Sequence, residues 1–144
     1  MSTNSLQRAQ ILAALQTTPL DRVRLMKTIF LLWHRSGQPE TGPFTFEPYL
    51  YGPCAFDLYA ALEDMERRGL IVQAPHAISR WAPYHLTEEG SKAAALNTDL
   101  DKAQRETIAE IASWTAAQSF RSLLDHVYRE APDYATQSIL RQGR

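Results

Sequence analysis

Tyr51-Gly52-Pro53, Glu66-Arg67-Arg68-Gly69-Leu70-Ile71-Val72 and Tyr84-His85-Leu86-Thr87-Glu88-Glu89-Gly90 are the landmarks of the stretch that decides the fold. Pro53 suits the first turn of a helix, where its missing N–H has no helical partner, so the spacing predicts a helix opening at Tyr51-Gly52-Pro53 and running from Cys54 to about Arg68. Leu58, Leu62 and Met65 share its inner face with Tyr59 beside them, and Gly69 ends it. Leu70 to Ala74 and Tyr84 to Leu86 read as two partnered strands, with Pro75 to Pro83 as a long hairpin tip, or wing. Thr87 is suited to cap a helix over Glu88 to Leu96, whose first turn carries two glutamates that suit the positive end of the helix dipole.

Working outward, Leu6, Ile11, Leu12 and Leu15 fall near a helical period, with Ser5 or Asn4 available as a cap. Leu20 to Ser36 places Val23, Met26, Ile29, Phe30 and Trp33 on one face, with Leu25, Leu31 and Leu32 around it and Gly37 just past its end. A helix apolar on most of its circumference is a central one. Pro39, Gly42, Pro43 and Pro48 then break any helix, and Phe44-Thr45-Phe46 alternates like a short strand. Downstream of the linker Asn97-Thr98-Asp99, the residues Leu100, Ile108, Ile111, Ala112 and Thr115 form a helical stripe opposite Lys102, Glu106 and Glu110, with Trp114 at its edge. Phe120, Leu123, Leu124, Val127 and Tyr128 form another, starting at Ser119 and stopping near Pro132. Tyr134, Ile139 and Leu140 are expected to dock the tail, and Gln142-Gly143-Arg144 to fray. No internal repeat is visible.

This order of elements is the layout of a winged helix-turn-helix. The expected fold is mainly α with a small antiparallel β wing. A winged-helix core over 1–98 is followed by C-terminal helices over 99–144 that pack on it or build a homodimer, in one domain overall. With 144 residues, 44% hydrophobic and 22% charged, the chain has the length and composition of one globular domain. A net charge of −1 and a pI near 6.4 give no global attraction to phosphate, so nucleic acid would need a local basic patch. The lone Cys54 excludes an internal disulfide, and no apolar run reaches the roughly 18 residues of a membrane span. Met1-Ser2-Thr3-Asn4-Ser5 lacks the charged start and apolar core of a signal peptide, so a cytoplasmic protein without membrane contact is expected.

Tyr84-His85-Leu86-Thr87-Glu88-Glu89-Gly90 resembles the Tyr-x-Leu-Thr-x-x-Gly segment that follows the wing in many winged-helix domains. Arg24-Leu25-Met26-Lys27-Thr28-Ile29-Phe30, followed by Phe46 to Tyr51-Gly52-Pro53, is similar to the Lys-x-x-Tyr … Tyr-Gly-Pro pattern of SocA-like (Panacea) antitoxins and YwgA-like proteins. Phe30 stands where that group often has tyrosine, and the tip Ile78-Ser79-Arg80-Trp81 has no counterpart. Leu123-Leu124-Asp125-His126-Val127-Tyr128, with Pro132-Asp133-Tyr134-Ala135 and Ser138, also looks like the end of that group. The resemblance covers nearly the whole chain and implies a small regulatory protein, an antitoxin that neutralises a partner protein by contact or a winged-helix relative. It implies no catalytic residues.

Reading DNA in the major groove requires cations and amides on the helix from Cys54 to Arg68. Its polar face instead carries Asp57, Glu63, Asp64 and Glu66 against Arg67 and Arg68, spaced so that Glu63 pairs with Arg67 and Asp64 with Arg68. The structural reading, a solvated face laced by local ion pairs, is favoured over a DNA-reading one. The contact surface expected from the sequence is therefore the wing, with Trp81, Arg80 and Tyr84 as partner-binding residues. The alternative is a dimeric, sequence-specific DNA-binding repressor using Arg80, Arg22, Arg24, Lys27, Arg67 and Arg68. Cys54 reads as a small buried residue, and His34, His76, His85 and His126 show no ligand spacing. No catalytic residue, metal or cofactor is expected.

Overall fold

Asp21 starts the central helix: its carboxylate accepts the backbone N–H of Arg24 at 2.9 Å, so helix α2 spans Arg22–Arg35. In the computed structural model, which describes residues 3–135, every position from Leu25 to Leu31 on this helix is buried. Gly37 follows it with φ +88°, the left-handed conformation that ends helices at glycine. Helix α1, Thr3–Thr17, is longer than the apolar period predicts. Asn4 and Ser5 consequently lie inside it, and the Ser5 hydroxyl bonds the Asp99 carboxylate instead of capping.

The segment after α2 departs from expectation. Phe44 and Phe46 form no strand; both are buried core anchors, with Phe46 edge-on to Phe30 at 5.3 Å between ring centroids. The strands come later, β1 at Glu47–Tyr49 and β2 at Gly52–Cys54, paired antiparallel with Pro48 opposite Pro53. Pro53 therefore sits in a strand and not in a helical first turn. Helix α3 begins after it and spans Phe56–Arg67. Gly52 explains the shift, because its φ of +91° closes a tight turn at Leu50-Tyr51, and a Cβ there would stand 2.9 Å from the Tyr128 ring. Glycine permits both the conformation and the close approach.

As expected, Leu58, Leu62 and Met65 are buried on α3, together with Ala61, and Gly69 ends it at φ +73°. Strands β3 (Ile71–Gln73) and β4 (Tyr84–Leu86) pair antiparallel, with Val72 opposite His85. Leu20, between α1 and α2, bridges Tyr84 on the other side of β4. Within the connection, Ser79–Trp81 winds into one 3-10 turn.

Helix α4, Glu88–Leu96, is capped by Thr87, and α5, Lys102–Ala117, opens with an Asp101–Gln104 capping box. Leu100 precedes α5 and is buried. Helix α6, Phe120–Glu130, buries Leu123, Leu124, Val127 and Tyr128, each worth about 1.5–3 kcal/mol in water removed from apolar surface. One hydrophobic cluster contains residues of α1, α2, α3, α5 and α6, so the C-terminal helices complete the core of the N-terminal half. Tyr134 docks edge-on to Phe30 at 4.9 Å; Ile139, Leu140 and Gln142-Gly143-Arg144 lie outside the described residues. The described chain is mainly helical with two small antiparallel sheets, and none of its helices is long and apolar enough to cross a membrane.

Candidate functional site

The first two turns of α2 present Arg22, Val23, Met26 and Lys27 on one side, because residues four apart stack on a helix. Against them stand the β1–β2 hairpin, Tyr59 of α3 and Arg80 of the 3-10 turn, enclosing a recess of about 200 Å³. Tyr49, Leu50, Tyr51, Gly52 and Cys54 supply the hairpin's share of its lining. Among the described residues, three cations and no aspartate or glutamate line it.

Lys27 is 4% exposed, and its ammonium donates to the Pro53 carbonyl at 3.2 Å. Burial pushes its pKa down to about 8, opposed by Cys54 and Asp21, so it stays protonated at neutral pH. The Cys54 thiol is pushed up by burial and lies 3.8 Å from the Tyr59 hydroxyl, whose own pKa is pushed up to about 12, chiefly by burial. Thiol and phenol are both neutral at physiological pH. At the rim, the Arg80 guanidinium donates to the Tyr51 hydroxyl at 3.0 Å and lies 4.9 Å from the centroid of that ring. Arg22 lies 5.7 Å from the Tyr59 ring centroid. Both are cation–π distances.

Beside the recess the surface is apolar. Tyr49 (42% exposed), Leu50 (39%), Phe56 (46%) and Tyr59 (39%) are all solvent-facing, and their rings touch in sequence, Tyr49 to Phe56 at 5.1 Å and Phe56 to Tyr59 at 6.2 Å. A second recess of about 260 Å³ lies under the loop after α2, lined by Trp33, Phe44, Phe46, Ile108 and other uncharged residues. It offers no charge to orient a ligand.

The residues singled out from sequence scatter. Tyr84 is 6% exposed and its backbone pairs with Leu20, so it is a core residue and not a contact residue. Trp81 is half-buried, edge-on to Phe120 at 4.9 Å, which pins the hairpin tip to α6 in place of a free tip. Arg80 and Arg22 do face the recess. Arg24 is consumed locally: it pairs with Asp21 at 2.6 Å and donates to the Gln118 carbonyl at 2.9 and 3.2 Å, capping the negative end of α5. Lys27 faces the recess from its interior side, too deep for a phosphate backbone lying across the surface. Arg67 lies within 3.6 Å of Glu63 and Asp64, and Arg68 pairs with Asp64 at 2.8 Å, as their spacing predicts. Tyr59, read from spacing as an interior residue, is part of the exposed ring cluster.

The hairpin Tyr49-Leu50-Tyr51 is what reading from sequence missed. The available signal was Lys27, the one charged residue in the run from Leu25 to Leu32, which demands a buried partner and finds it in Pro53. Among the described residues, no group of three or more His, Cys, Asp and Glu side chains is placed to hold a metal ion. No family model, no curated protein and no solved structure matches the chain.

Proposed function

We propose that this chain is a non-enzymatic regulatory protein of winged-helix type, antitoxin-like, that acts by binding a partner protein through the face formed by the β1–β2 hairpin and the start of α3. The observation that carries this reading is the contiguous cluster Tyr49, Leu50, Phe56 and Tyr59, each more than a third exposed and edged by Arg22 and Arg80. Tyrosine and arginine around a desolvatable apolar centre are what interface hot spots are made of. The order α1, Leu20, α2, α3, β3, β4 and the bridge from Leu20 to Tyr84 support the winged-helix reading. The contact surface thus moves from the tip residue Trp81 to the hairpin beside it.

Sequence-specific DNA binding by a homodimer is less well supported. Of the cations it would use, Arg24, Arg67 and Arg68 are paired with carboxylates and Lys27 is buried, leaving Arg22 and Arg80. Co-expression with the product of the adjacent gene is the test. A stoichiometric complex that survives purification, and is lost in a Leu50→Ser, Phe56→Ser double variant, is the expected result. Binding to the upstream DNA with a steep salt dependence, abolished by Arg80→Gln and indifferent to Phe56→Ser, would replace this reading with the repressor.

A further inference from the structure

We infer that the recess between α2 and the β1–β2 hairpin is a carboxylate-binding site, in which Lys27, Arg22 and Arg80 hold the anion and the neighbouring tyrosine rings hold an apolar or aromatic body. The inference goes beyond the partner-binding reading and stands whether or not a protein complex forms.

Among the described residues, three cations and no carboxylate line this space. Lys27 is buried with a single hydrogen-bond acceptor among the described residues, the Pro53 carbonyl at 3.2 Å, while an ammonium carries three N–H donors. The carboxylate whose charge acts on it, Asp21, is already bound to Arg24 at 2.6 Å. A buried charge with so little compensation is expensive to maintain, and a ligand anion supplies the missing counter-charge. Arg22 and Arg80 form no ion pair among the described residues. Both lie against tyrosine rings, at 5.7 Å and 4.9 Å, an arrangement that leaves guanidinium N–H groups for a carboxylate.

Size and lining select an organic anion over a free inorganic one. The recess of about 200 Å³ has room for about seven waters, enough for a body the size of a benzene ring. Val23, Met26 and Leu50 line it beside the charges; inorganic phosphate would leave those apolar walls uncovered. The carboxylate comes either from a free small molecule or from an acidic side chain of a bound protein, and the chemistry of recognition is the same.

Calorimetric titration of the full chain with benzoate, benzamide and inorganic phosphate tests the assignment. Saturable benzoate binding is expected, at least tenfold tighter than benzamide or phosphate, and weakened at least tenfold by Lys27→Met and by Arg80→Gln. Equal affinity for benzoate and benzamide, or benzoate binding unchanged in both variants, overturns it; Arg80→Gln lies at the rim and keeps the test valid if Lys27→Met fails to fold. Adding benzoate to the purified complex then assigns the source. Displacement of the partner means that the partner supplies the carboxylate, and retention of the complex with benzoate bound means that a free molecule does.

Discussion

A Cβ placed on Gly90 would stand 1.9 Å from the carbonyl oxygen of Leu70. That closeness gives the segment Tyr84-His85-Leu86-Thr87-Glu88-Glu89-Gly90 its physical meaning. The Thr87 hydroxyl accepts the Gly90 N–H at 3.0 Å and donates to the Gly69 carbonyl, while the Thr87 N–H reaches the Leu70 carbonyl at 3.0 Å. Thr87 and Gly90 together clamp the start of α4 onto the turn between α3 and β3. Because the obstacle is backbone and cannot rotate away, Gly90→Ala is expected to cost about 3 kcal/mol or more. Denaturant unfolding is the measurement, and a loss below about 1 kcal/mol would show that α4 shifts freely.

Lys27 links the central helix to the β1–β2 hairpin, and its charge is a burden on the fold. Its pKa is about 8 in the folded chain against an ordinary value of 10.5, so the folded state resists protonation. Below pH 8 that cost is present in full, about 3 kcal/mol at 1.36 kcal/mol per pH unit. Between pH 8 and 10.5 the unfolded chain holds more protons than the folded one, so stability rises with pH. The charges and titrating groups around Lys27 are Arg22 and Asp21 at the start of α2, Cys54 on β2, Tyr59 on α3 and Arg80 in the 3-10 turn. Tyr59, raised to about 12, works in the opposite sense and removes stability above pH 10. A stability maximum between about pH 9 and 10 is therefore expected.

Lys27→Met removes this cost and forfeits the hydrogen bond to Pro53, itself worth about 1 kcal/mol. Net stabilisation of about 2 kcal/mol at pH 7, vanishing above pH 10, is expected in thermal or urea unfolding. A destabilised variant would mean that the ammonium is better compensated than its one acceptor indicates.

Much of this architecture was legible because it rests on local chemistry. The cap at Thr87, the start of the last helix at Ser119, the stop at Gly69 and the stripe Leu123, Leu124, Val127 and Tyr128 are all set within one or two turns of chain, and the structure places them where spacing does. The hairpin at Leu50-Tyr51 was not legible, because its decisive contact is long-range: Gly52 lies against Tyr128, 76 positions later in the sequence. Without that contact, Pro53 reads in its usual role at a helix start. Trp81 and Tyr84 are hard to read for a related reason. Each looks like a surface residue near a loop tip, and each is covered by an element that spacing does not bring near, Phe120 and Leu20.

Glu130 sits between Arg35 of α2 and His126 of its own helix. It accepts from Arg35 of α2 at 2.8 and 2.9 Å and meets His126 one turn back at 2.9 Å. The Arg35 guanidinium, with His126 adding to it, holds its pKa down at about 2. A depressed carboxylate contributes stability that is complete above its ordinary value near 4.5 and is lost as pH falls toward 2. The pair is partly solvated, so the contribution is about 1 kcal/mol and not the full shift. Arg35→Ala is expected to flatten the acid limb of the stability profile below pH 4.5 while costing about 1 kcal/mol at pH 7, read from urea midpoints across pH.

Trp81 holds the tip of the β3–β4 hairpin against α6. Its ring meets Phe120 edge-on at 4.9 Å, Phe120 also meets Tyr51 at 5.6 Å, and Tyr51 carries Arg80. The three rings therefore position one cation of the recess. A double-mutant cycle of Trp81→Ala and Phe120→Ala should return a coupling of about 1 kcal/mol, in the range of aromatic pairs beyond their buried area. Either single variant should also raise amide exchange at Ile78 to Ala82, because the 3-10 turn loses its outside support. Zero coupling with unchanged exchange would restore Trp81 to the free contact role that its position near the tip first indicates.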